Sequence, residues 1–276
     1  MPRILTTVLS YNKGHYIDWQ RTQEETFGSV ECKDMDIIYY YGDHDKVELK
    51  DNKLYIDVPE GFYNIGNKTM KMFEYVLKNF EFDYLFRPNS SAFFIPDNVV
   101  KFIDKFAPKE NCYLGRRRIV KQYGNLKARS GTLPGLEGKG RKLWLRRSSV
   151  PFASGMGYVL SRDVVESQVK NYYDMSLCRR IYNEIIDDVA LGITIGYTGI
   201  DLINLHELQP NSPYKRTAFK SFEDLSRAVH TGSWMRKKPR VNGDYINEFV
   251  YRCKTEDPQE CVKIMHELYS ALIVKE

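Results

Sequence analysis

Residues 151–161 read PFASGMGYVLS, and this segment decides the fold more than any other. Its small residues lead directly into an apolar run typical of a β-strand, Tyr158 to Leu160. Gly155 and Gly157 carry no Cβ, so a ligand can approach the backbone closely at these two positions. An ordinary turn is the alternative interpretation of the glycines. The segment predicts a strand that begins beside a ligand.

Residues 184–192 read EIIDDVALG and place two adjacent acids, Asp187 and Asp188, in front of an apolar segment, Val189 to Ile195. A helix that starts with two acids is a suitable place for a general base, because a carboxylate is ionised at neutral pH. The alternative is that both acids stabilise the amino end of the helix through its macrodipole. The order and separation of the two segments favour a functional site.

Strands and helices are predicted to alternate along the amino-terminal part of the chain. The predicted strands are 3–10, 36–41, 53–58 and 82–86, and the predicted helices are 16–26, 67–79 and 98–106. Such alternation is typical of an α/β fold, with a mostly parallel sheet and helices on both faces. In sheets of this kind, ligands collect at the carboxyl ends of the strands.

The remainder of the chain is predicted to contain one long loop and further helices. Residues 123–140 are rich in Gly, Lys and Arg and predict a binding loop or lid. Residues 221–228 begin with a cap-like pattern, and residues 258–273 carry apolar side chains at helical spacing. We therefore expect a single domain of 276 residues, with a helical annex over 216–276.

Composition favours a soluble, globular protein of a reducing compartment. The chain is 42% hydrophobic and contains no run of about eighteen apolar residues, so no transmembrane helix or membrane anchor is expected. The amino-terminal residues lack the apolar core and cleavage site of a signal peptide. Five scattered cysteines show no CxxC spacing, which indicates neither a zinc site nor a disulfide framework. We expect a cytoplasmic protein.

The net charge of +5 is mild but unevenly distributed. Residues 116–147 contain eleven basic side chains and one acid, Glu137; the basic residues are Arg116, Arg117, Arg118, Lys121, Lys127, Arg129, Lys139, Arg141, Lys142, Arg146 and Arg147. Such a stretch favours an anionic partner, with a solvated loop as the alternative. The sequence has no recognised nucleic-acid motif, so a nucleic acid ranks below other anions as the partner.

Several landmarks, in a fixed order, resemble those of the inverting β1,3-glycosyltransferases, the family that includes fringe and the core-1 and β3-galactosyl enzymes (glycosyltransferase family 31). They are RTQEETFG at 21–28, EGFYNIGNKT at 60–69, RPNSSAF at 87–93, SGMGYVLS at 154–161, DDVALG at 187–192 and LHELQP at 205–210. The resemblance covers roughly residues 3–210, and its strength lies in the order of the landmarks.

The resemblance implies a GT-A fold in one domain. Residues 1–110 would form the nucleotide-sugar-binding half, and residues 111–215 the acceptor and catalytic half. The implied reaction moves a sugar from a UDP-sugar to a hydroxyl of a glycan or glycoprotein acceptor, with inversion. The donor is a co-substrate, and no other organic cofactor is implied. UDP-xylose, UDP-galactose, UDP-glucose and UDP-N-acetylglucosamine stay open as donors, and we only slightly favour a small sugar such as xylose.

The family match also assigns roles to individual residues. Asp188 is the first candidate for the base and Asp187 the second. The predicted donor-binding residues are Ser10 and Tyr11 at the end of the first strand, Lys68, Arg87, Asn89, Ser90, Ser91, Gly155, Met156 and His206. The predicted acceptor-binding residues are Trp144 and Phe152, although aromatic side chains are more often part of a core.

One departure from the family bears on metal binding. The aspartate triplet that holds a divalent cation in the family is replaced here by Asn89, Ser90 and Ser91. Neutral amide and hydroxyl oxygens are poor sole ligands for Mn²⁺ or Mg²⁺. We therefore expect an enzyme without a metal cofactor, in which Lys68, Arg87 or residues 116–147 neutralise the diphosphate.

Two further points concern candidate metal ligands and activity. His206 matches the family's histidine ligand, but without carboxylate partners it is equally expected to bind phosphate or to cap an element. Residues 43–45 read Asp-His-Asp, the spacing of a metal motif, but they follow the second strand and are interpreted as a polar turn. The loss of the aspartates leaves a catalytically inactive, carbohydrate-binding relative as the alternative function.

Overall fold

The structure is a computed structural model that describes residues 1–121, 149–184, 186–208, 240–241, 244–245, 250–253 and 257–273. The predicted loop at 123–140 and the predicted helix at 221–228 lie outside these residues. Within the described ranges, no helix is both long enough and apolar enough to cross a membrane.

An eight-stranded sheet forms the centre of the fold, in the order β3-β4-β2-β1-β5-β8-β7-β9. Four of its seven adjacent pairs are parallel, and the pairs β3–β4, β5–β8 and β7–β8 are antiparallel. The strands are β1 (Ile4–Leu9), β2 (Met35–Tyr41), β3 (Glu48–Lys50), β4 (Lys53–Tyr55), β5 (Tyr84–Pro88), β7 (Tyr113–Lys121), β8 (Ser149–Ser161) and β9 (Ile203–Asn204). Two short ladders lie outside the sheet: β6 (Ala92–Phe93) with β12 (Tyr251–Arg252), and β10 (Arg240–Val241) with β11 (Asp244–Tyr245).

Helices cover both faces of the sheet. They are α1 (Tyr16–Glu25), α2 (Ile65–Asn79), α3 (Pro96–Phe106), α4 (Arg162–Asp174), α5 (Ser176–Glu184), α6 (Asp187–Tyr197), α7 (Leu205–Leu208) and α8 (Pro258–Leu272). Short 3-10 turns at Phe27–Ser29 and Phe62–Asn64 follow α1 and precede α2. The predicted α/β class with a mostly parallel sheet is therefore confirmed.

The core has two main layers because side chains alternate between the two faces of each strand. On one face, Leu5 and Leu85 pack with apolar side chains of α2, α4, α5 and α6. On the other face, Ile4 and Phe86 pack with side chains of α1, α3 and α8. The sheet is thus buried on both sides, which is why β1, β2 and β5 are predominantly apolar in sequence.

Most amino-terminal elements lie where the sequence predicts them, whereas several later ones were missed. Helices α4 and α5 and strand β7 were not predicted. Strand β7 runs through Arg116–Arg118, part of the stretch for which a solvated loop was the alternative. It pairs with β8 over Arg117–Lys121, and this pairing overrides a composition that is otherwise typical of loops.

The carboxyl-terminal helix α8 packs directly onto the rest of the fold. The indole N–H of Trp19 on α1 donates to the carbonyl of Pro258 at 2.9 Å. Cys261, Ile264, Met265 and Leu268 have no exposed surface and belong to the second core layer. The helix predicted at 258–273 is confirmed, and it completes one face of the sheet.

Candidate active site

The site lies at the carboxyl edge of the parallel strands. The ends of β1 and β5 meet there, in an isolated parallel bridge between Leu9 and Asn89. Strand β8 lies beside β5, with Gly157 opposite Pro88. The first turn of α6 supplies Asp187 and Asp188 to the same place. The two segments singled out in the sequence are therefore neighbours in space.

The carboxyl of Asp188 lies near the backbone amides of Gly155 and Val189, and both lower its pKa. Its Oδ2 accepts a hydrogen bond from the amide of Gly155 at 2.9 Å. Its Oδ1 has no exposed surface and accepts no hydrogen bond from any described residue. Burial, and secondarily the negative charge of Asp187, raise the pKa of Asp188 to about 7. A buried acceptor without a donor is unusual in a folded protein, and a ligand's hydroxyl could satisfy it only if the site opened to admit that hydroxyl.

Asp187 has a different environment from that of its neighbour. Its Oδ2 accepts a hydrogen bond from Nη2 of Arg87, and both side chains are almost fully buried. The pairing places a fixed positive charge beside the acid. Asp187 is therefore neutralised by the protein, whereas Asp188 is not.

Lys68 is also committed to protein partners. Its Nζ donates to both carboxylate oxygens of Glu60 at 2.8 Å and to the carbonyl of Ser10 at 3.0 Å. Burial lowers the pKa of Lys68, and the charge of Glu60 opposes this effect. Three acceptors satisfy the three hydrogens of the ammonium group. Lys68 and Arg87, both predicted to bind phosphate, each face a carboxylate in this structure.

Asn89, Ser90 and Ser91, which replace the family's aspartates, form a turn with internal hydrogen bonds. Asn89 Oδ1 accepts from both the amide and the hydroxyl of Ser91, each at 3.2 Å, and Ser91 is buried. The amide of Cys253 donates to the carbonyl of Ser91 at 2.8 Å. The oxygens of this turn are neutral, and the best placed of them is already used internally. These residues do not fit a divalent cation that prefers carboxylates.

The other predicted donor residues lie at or near the same edge. Ser10 follows β1 and is buried, and Tyr11 beside it packs edge to face against Tyr16 with ring centroids 5.3 Å apart. Ser90 is half-buried in the turn after β5. Met156 belongs to the core on the α1 side of the sheet and is only 3% exposed.

Of the two predicted acceptor residues, the structure describes only Phe152. Phe152 is 2% exposed and lies in the core between β8 and α6, so it offers no surface to an acceptor in this conformation. Trp144 lies outside the described residues, and so does the side chain of His206. Of the basic stretch, Arg116, Arg117 and Arg118 lie on β7, two strands from β5.

The Asp-His-Asp sequence at 43–45 lies in the irregular connection between β2 and β3, with a bend at Asp45. Asp43 has a φ of 55° and accepts from the amide of Glu60 at 2.7 Å and from Lys13 at 2.7 Å. The ring of His44 instead lies 3.4 Å from Glu48. Among the described residues, no three His, Cys, Asp or Glu side chains form a cluster that could hold a metal ion.

Two residues of the site were missed by sequence reasoning. Tyr40 on β2 accepts from Nε of Arg87 at 3.0 Å, but in the sequence it resembles the other aromatic core residues of its strand. Glu60 lies within the 60–69 landmark and faces Lys68, eight residues later. The spacing of Glu60 and Lys68 gives no sign of a contact, because a turn and the first part of α2 separate them.

Residues 42–206 match the family described as Galactosyltransferase, which is more than half of the chain. The chain belongs to the galactosyltransferase family. The matched region begins immediately after β2 and includes Glu60, Lys68, Arg87, Asp187 and Asp188. The family resemblance predicted from the order of the landmarks is thereby confirmed, together with the glycosyltransferase type of fold.

A curated relative is UDP-GalNAc:beta-1,3-N-acetylgalactosaminyltransferase 2 of Xenopus laevis. It is 24% identical to the chain over 147 residues, which is 53% of this chain and 27% of the relative. The matched part thus spans a little over a quarter of the relative's own length.

Proposed function

We propose that the protein is an inverting glycosyltransferase that moves a sugar from a UDP-sugar to a hydroxyl of a glycan acceptor, with Asp188 as the base. Family membership supports the type of reaction. The observation that carries the residue assignment is Oδ1 of Asp188, a buried carboxylate oxygen without a hydrogen-bond donor among the described residues. An acceptor hydroxyl is a donor of the required kind, and because Oδ1 has no exposed surface, the proposal requires the site to open when the acceptor binds.

The proposed reaction is a single in-line displacement. The acceptor oxygen attacks the anomeric carbon and forms the new glycosidic bond. The bond from that carbon to the diphosphate oxygen breaks, and its electron pair leaves with UDP. Asp188 takes the hydroxyl proton as the new bond forms. Gly155 holds the other oxygen of the base through its amide, so the carboxylate keeps one orientation during the step.

The surroundings of Asp188 suit this role. A base is most effective when its pKa lies near the working pH, because it must be deprotonated and must still attract the proton. The pKa of Asp188, raised to about 7, meets this condition. Since only the ionised form accepts a proton, activity should rise as the pH increases through about 7.

We also propose that transfer needs no divalent cation. Asn89, Ser90 and Ser91 offer neutral oxygens in place of the family's carboxylates, and Asn89 already accepts two hydrogen bonds. Fixed cations can stabilise a leaving diphosphate instead. Lys68 and Arg87 each face a carboxylate, so we assign this task to basic residues of 116–147, of which Arg116–Arg118 lie on β7.

We propose UDP as the nucleotide of the donor, whereas several sugars are proposed as the group that is transferred. UDP-xylose, the small sugar slightly favoured from the sequence, stays in the set with UDP-galactose, UDP-glucose and UDP-N-acetylglucosamine. The name of the Xenopus relative adds UDP-N-acetylgalactosamine. A panel of these five donors is therefore the first assay.

The test compares the wild type with Asp188→Asn in transfer assays across this panel. We expect a loss of about a hundredfold or more in kcat for Asp188→Asn, because general-base catalysis contributes on this order. Asp104→Asn is the matched control, since Asp104 is exposed on α3. Wild-type binding of a donor without turnover would overturn the proposal and favour the inactive, carbohydrate-binding relative.

Metal dependence is tested on the same assay with saturating EDTA. We expect activity to persist. Activity that EDTA abolishes and Mn²⁺ restores would overturn the proposed metal independence and leave the assignment of Asp188 standing.

A further inference from the structure

We propose that Arg87 is a positioning residue for the base, a buried guanidinium that fixes the strand and the helix between which Asp188 is held. This inference rests on the proposed function. It assigns to Arg87 a role towards Asp188 and not towards the donor diphosphate.

Arg87 joins three elements besides its own strand. Its Nη2 binds Asp187 at the start of α6, and its Nη1 donates to the carbonyl of Gly155 on β8 at 3.3 Å. Its Nε donates to the hydroxyl of Tyr40 on β2 at 3.0 Å. The planar guanidinium therefore has a defined partner for each of its nitrogens, a geometry that lysine cannot reproduce.

The link to Asp188 passes through Gly155. The carbonyl of Gly155 accepts from Arg87, and the amide of the same residue donates to Asp188. A Cβ at position 155 would lie 3.3 Å from Oδ2 of Asp188 and 3.4 Å from Nη1 of Arg87. Gly155 thus lies between the two side chains, and a shift of Arg87 would move the amide that orients the base.

The second link passes along α6. Asp187 precedes Asp188 in the first helical turn, and its ion pair with Arg87 anchors that turn to the centre of the sheet. Arg87 is itself held from the side, because its guanidinium lies 5.5 Å from the ring centre of Tyr158 and the hydroxyl of Tyr40 contacts Thr69 at 3.1 Å. Both side chains of this ion pair are almost fully buried.

The same pair adjusts the charge around the base. The buried carboxylate of Asp187 and the half-buried carboxylate of Asp188 disfavour each other's ionisation, and the positive charge of Arg87 opposes that effect at Asp188. The titratable and charged groups that face Asp188 or Asp187 are Arg87 on β5, Lys68 on α2, Tyr40 on β2, Tyr113 on β7, Tyr158 on β8 and Tyr182 on α5. Burial raises the pKa of all four tyrosines, so they stay neutral where Asp188 titrates.

The decisive variant is Arg87→Lys in the full-length protein, which keeps the charge and removes the three-way geometry. Arg162→Lys is the matched control. Arg162 also donates to two backbone carbonyls and to one carboxylate, and it lies 5.0 Å from the ring centre of Phe82, but it caps α2 and is remote from Asp188. We expect Arg87→Lys to lower kcat about a hundredfold, with the KM for the donor nearly unchanged.

A second pair of measurements does not depend on activity alone. Removing the positive charge with Arg87→Met should raise the pH at which the carboxyl carbon of Asp188 titrates by ¹³C NMR. If the unpaired Asp187 prevents this variant from folding, Arg87→Met with Asp187→Asn removes both charges. That double variant should fold and should still lose about a hundredfold in kcat, because the geometry is lost while the charges stay balanced.

The outcomes separate the two proposals. No transfer by the wild type with any donor would overturn the proposed function. An active wild type in which Arg87→Lys behaves like Arg162→Lys would overturn the role of Arg87 alone. That role is also overturned if Arg87→Lys raises the KM for the donor and leaves kcat unchanged, since this would place Arg87 on the donor.

Discussion

At the scale of single residues, Asp187 and Asp188 are adjacent in the chain and share the first turn of α6, where the helix dipole favours both. Their partners differ. Asp187 faces a guanidinium, whereas Asp188 faces the amide of Gly155 and keeps one oxygen free of described donors. The pair therefore consists of one acid with a structural role, Asp187, and one proposed to act in the reaction, Asp188. Keeping Asp188 ionised in the folded protein should lower the free energy of unfolding.

Comparing the free energy of unfolding of Asp188→Asn with that of the wild type should reveal this destabilisation. Burial raises the pKa of this carboxyl to about 7 from an ordinary value of 3.8, so the folded state binds the proton more tightly than the unfolded state does. The stability that this proton provides is complete below pH 4 and is lost as the pH rises to about 7. Asp188→Asn should therefore stabilise the protein more at pH 8 than at pH 5.

Urea unfolding at the two pH values measures this difference. Asp104→Asn, on the exposed side of α3, should leave the pH dependence of stability as it is in the wild type. An Asp188→Asn variant that is less stable than the wild type at pH 8 would contradict the burial of an ionised carboxylate at this position.

At the scale of elements, the base depends on how closely α6 approaches β8. A Cβ at Gly192 would lie 2.5 Å from Cβ of Phe152 and 2.8 Å from the carbonyl oxygen of Pro151. Both contacts are far too short, and one of them involves backbone. Glycine is therefore required where the middle of the helix crosses the strand, and this contact sets the position of the first turn.

Gly192→Ala should push α6 away from β8, whereas Gly196→Ala in the same helix should not. No described atom outside the neighbouring helix backbone lies within 4 Å of a Cβ at Gly196. We expect Gly192→Ala to destabilise the fold by about 1–3 kcal/mol and to reduce kcat. Gly196→Ala should stabilise it by up to about 1 kcal/mol, since alanine favours the helix. Thermal unfolding of the two variants and their kcat values test the contact.

At the scale of the whole molecule, the carboxyl-terminal helix α8 packs against the amino-terminal part of the fold. This helix packs against α1. The strand before it, β12, pairs with β6, and β6 immediately follows the turn at Asn89. The carboxyl-terminal residues therefore support the segment that replaces the family's metal-binding aspartates. A region expected to be an annex shares a core layer with the sheet.

Leu268→Ala should accordingly destabilise the entire fold. Leu268 is fully buried, so we expect a loss of about 2–5 kcal/mol, while Lys263→Ala on the exposed side of α8 should change little. Urea unfolding followed by circular dichroism and by tryptophan fluorescence should give one coincident transition in both variants. Two separate transitions, with only the second one unaffected by Leu268→Ala, would indicate that α8 folds as an independent unit.

The sequence by itself determined the order of most strands and helices, the family and the pair of acids at the start of α6. These properties are local: they depend on the periodicity of apolar residues and on short runs such as 154–161 and 187–192. The missed helices α4 and α5 have few apolar residues; α4 packs against α2 and β8, and α5 packs against α2, α4 and α6.

Only the tertiary structure decided which acid is free and which cations are occupied. Arg87 and Asp187 are separated by 100 residues in the chain, and Glu60 reaches Lys68 across a turn. No spacing rule predicts such contacts, because a buried charge selects its partner by proximity in the folded state. The sequence named Asp187, Asp188, Lys68 and Arg87 as a set, and folding paired three of them with protein groups of opposite charge and left Asp188 without such a partner.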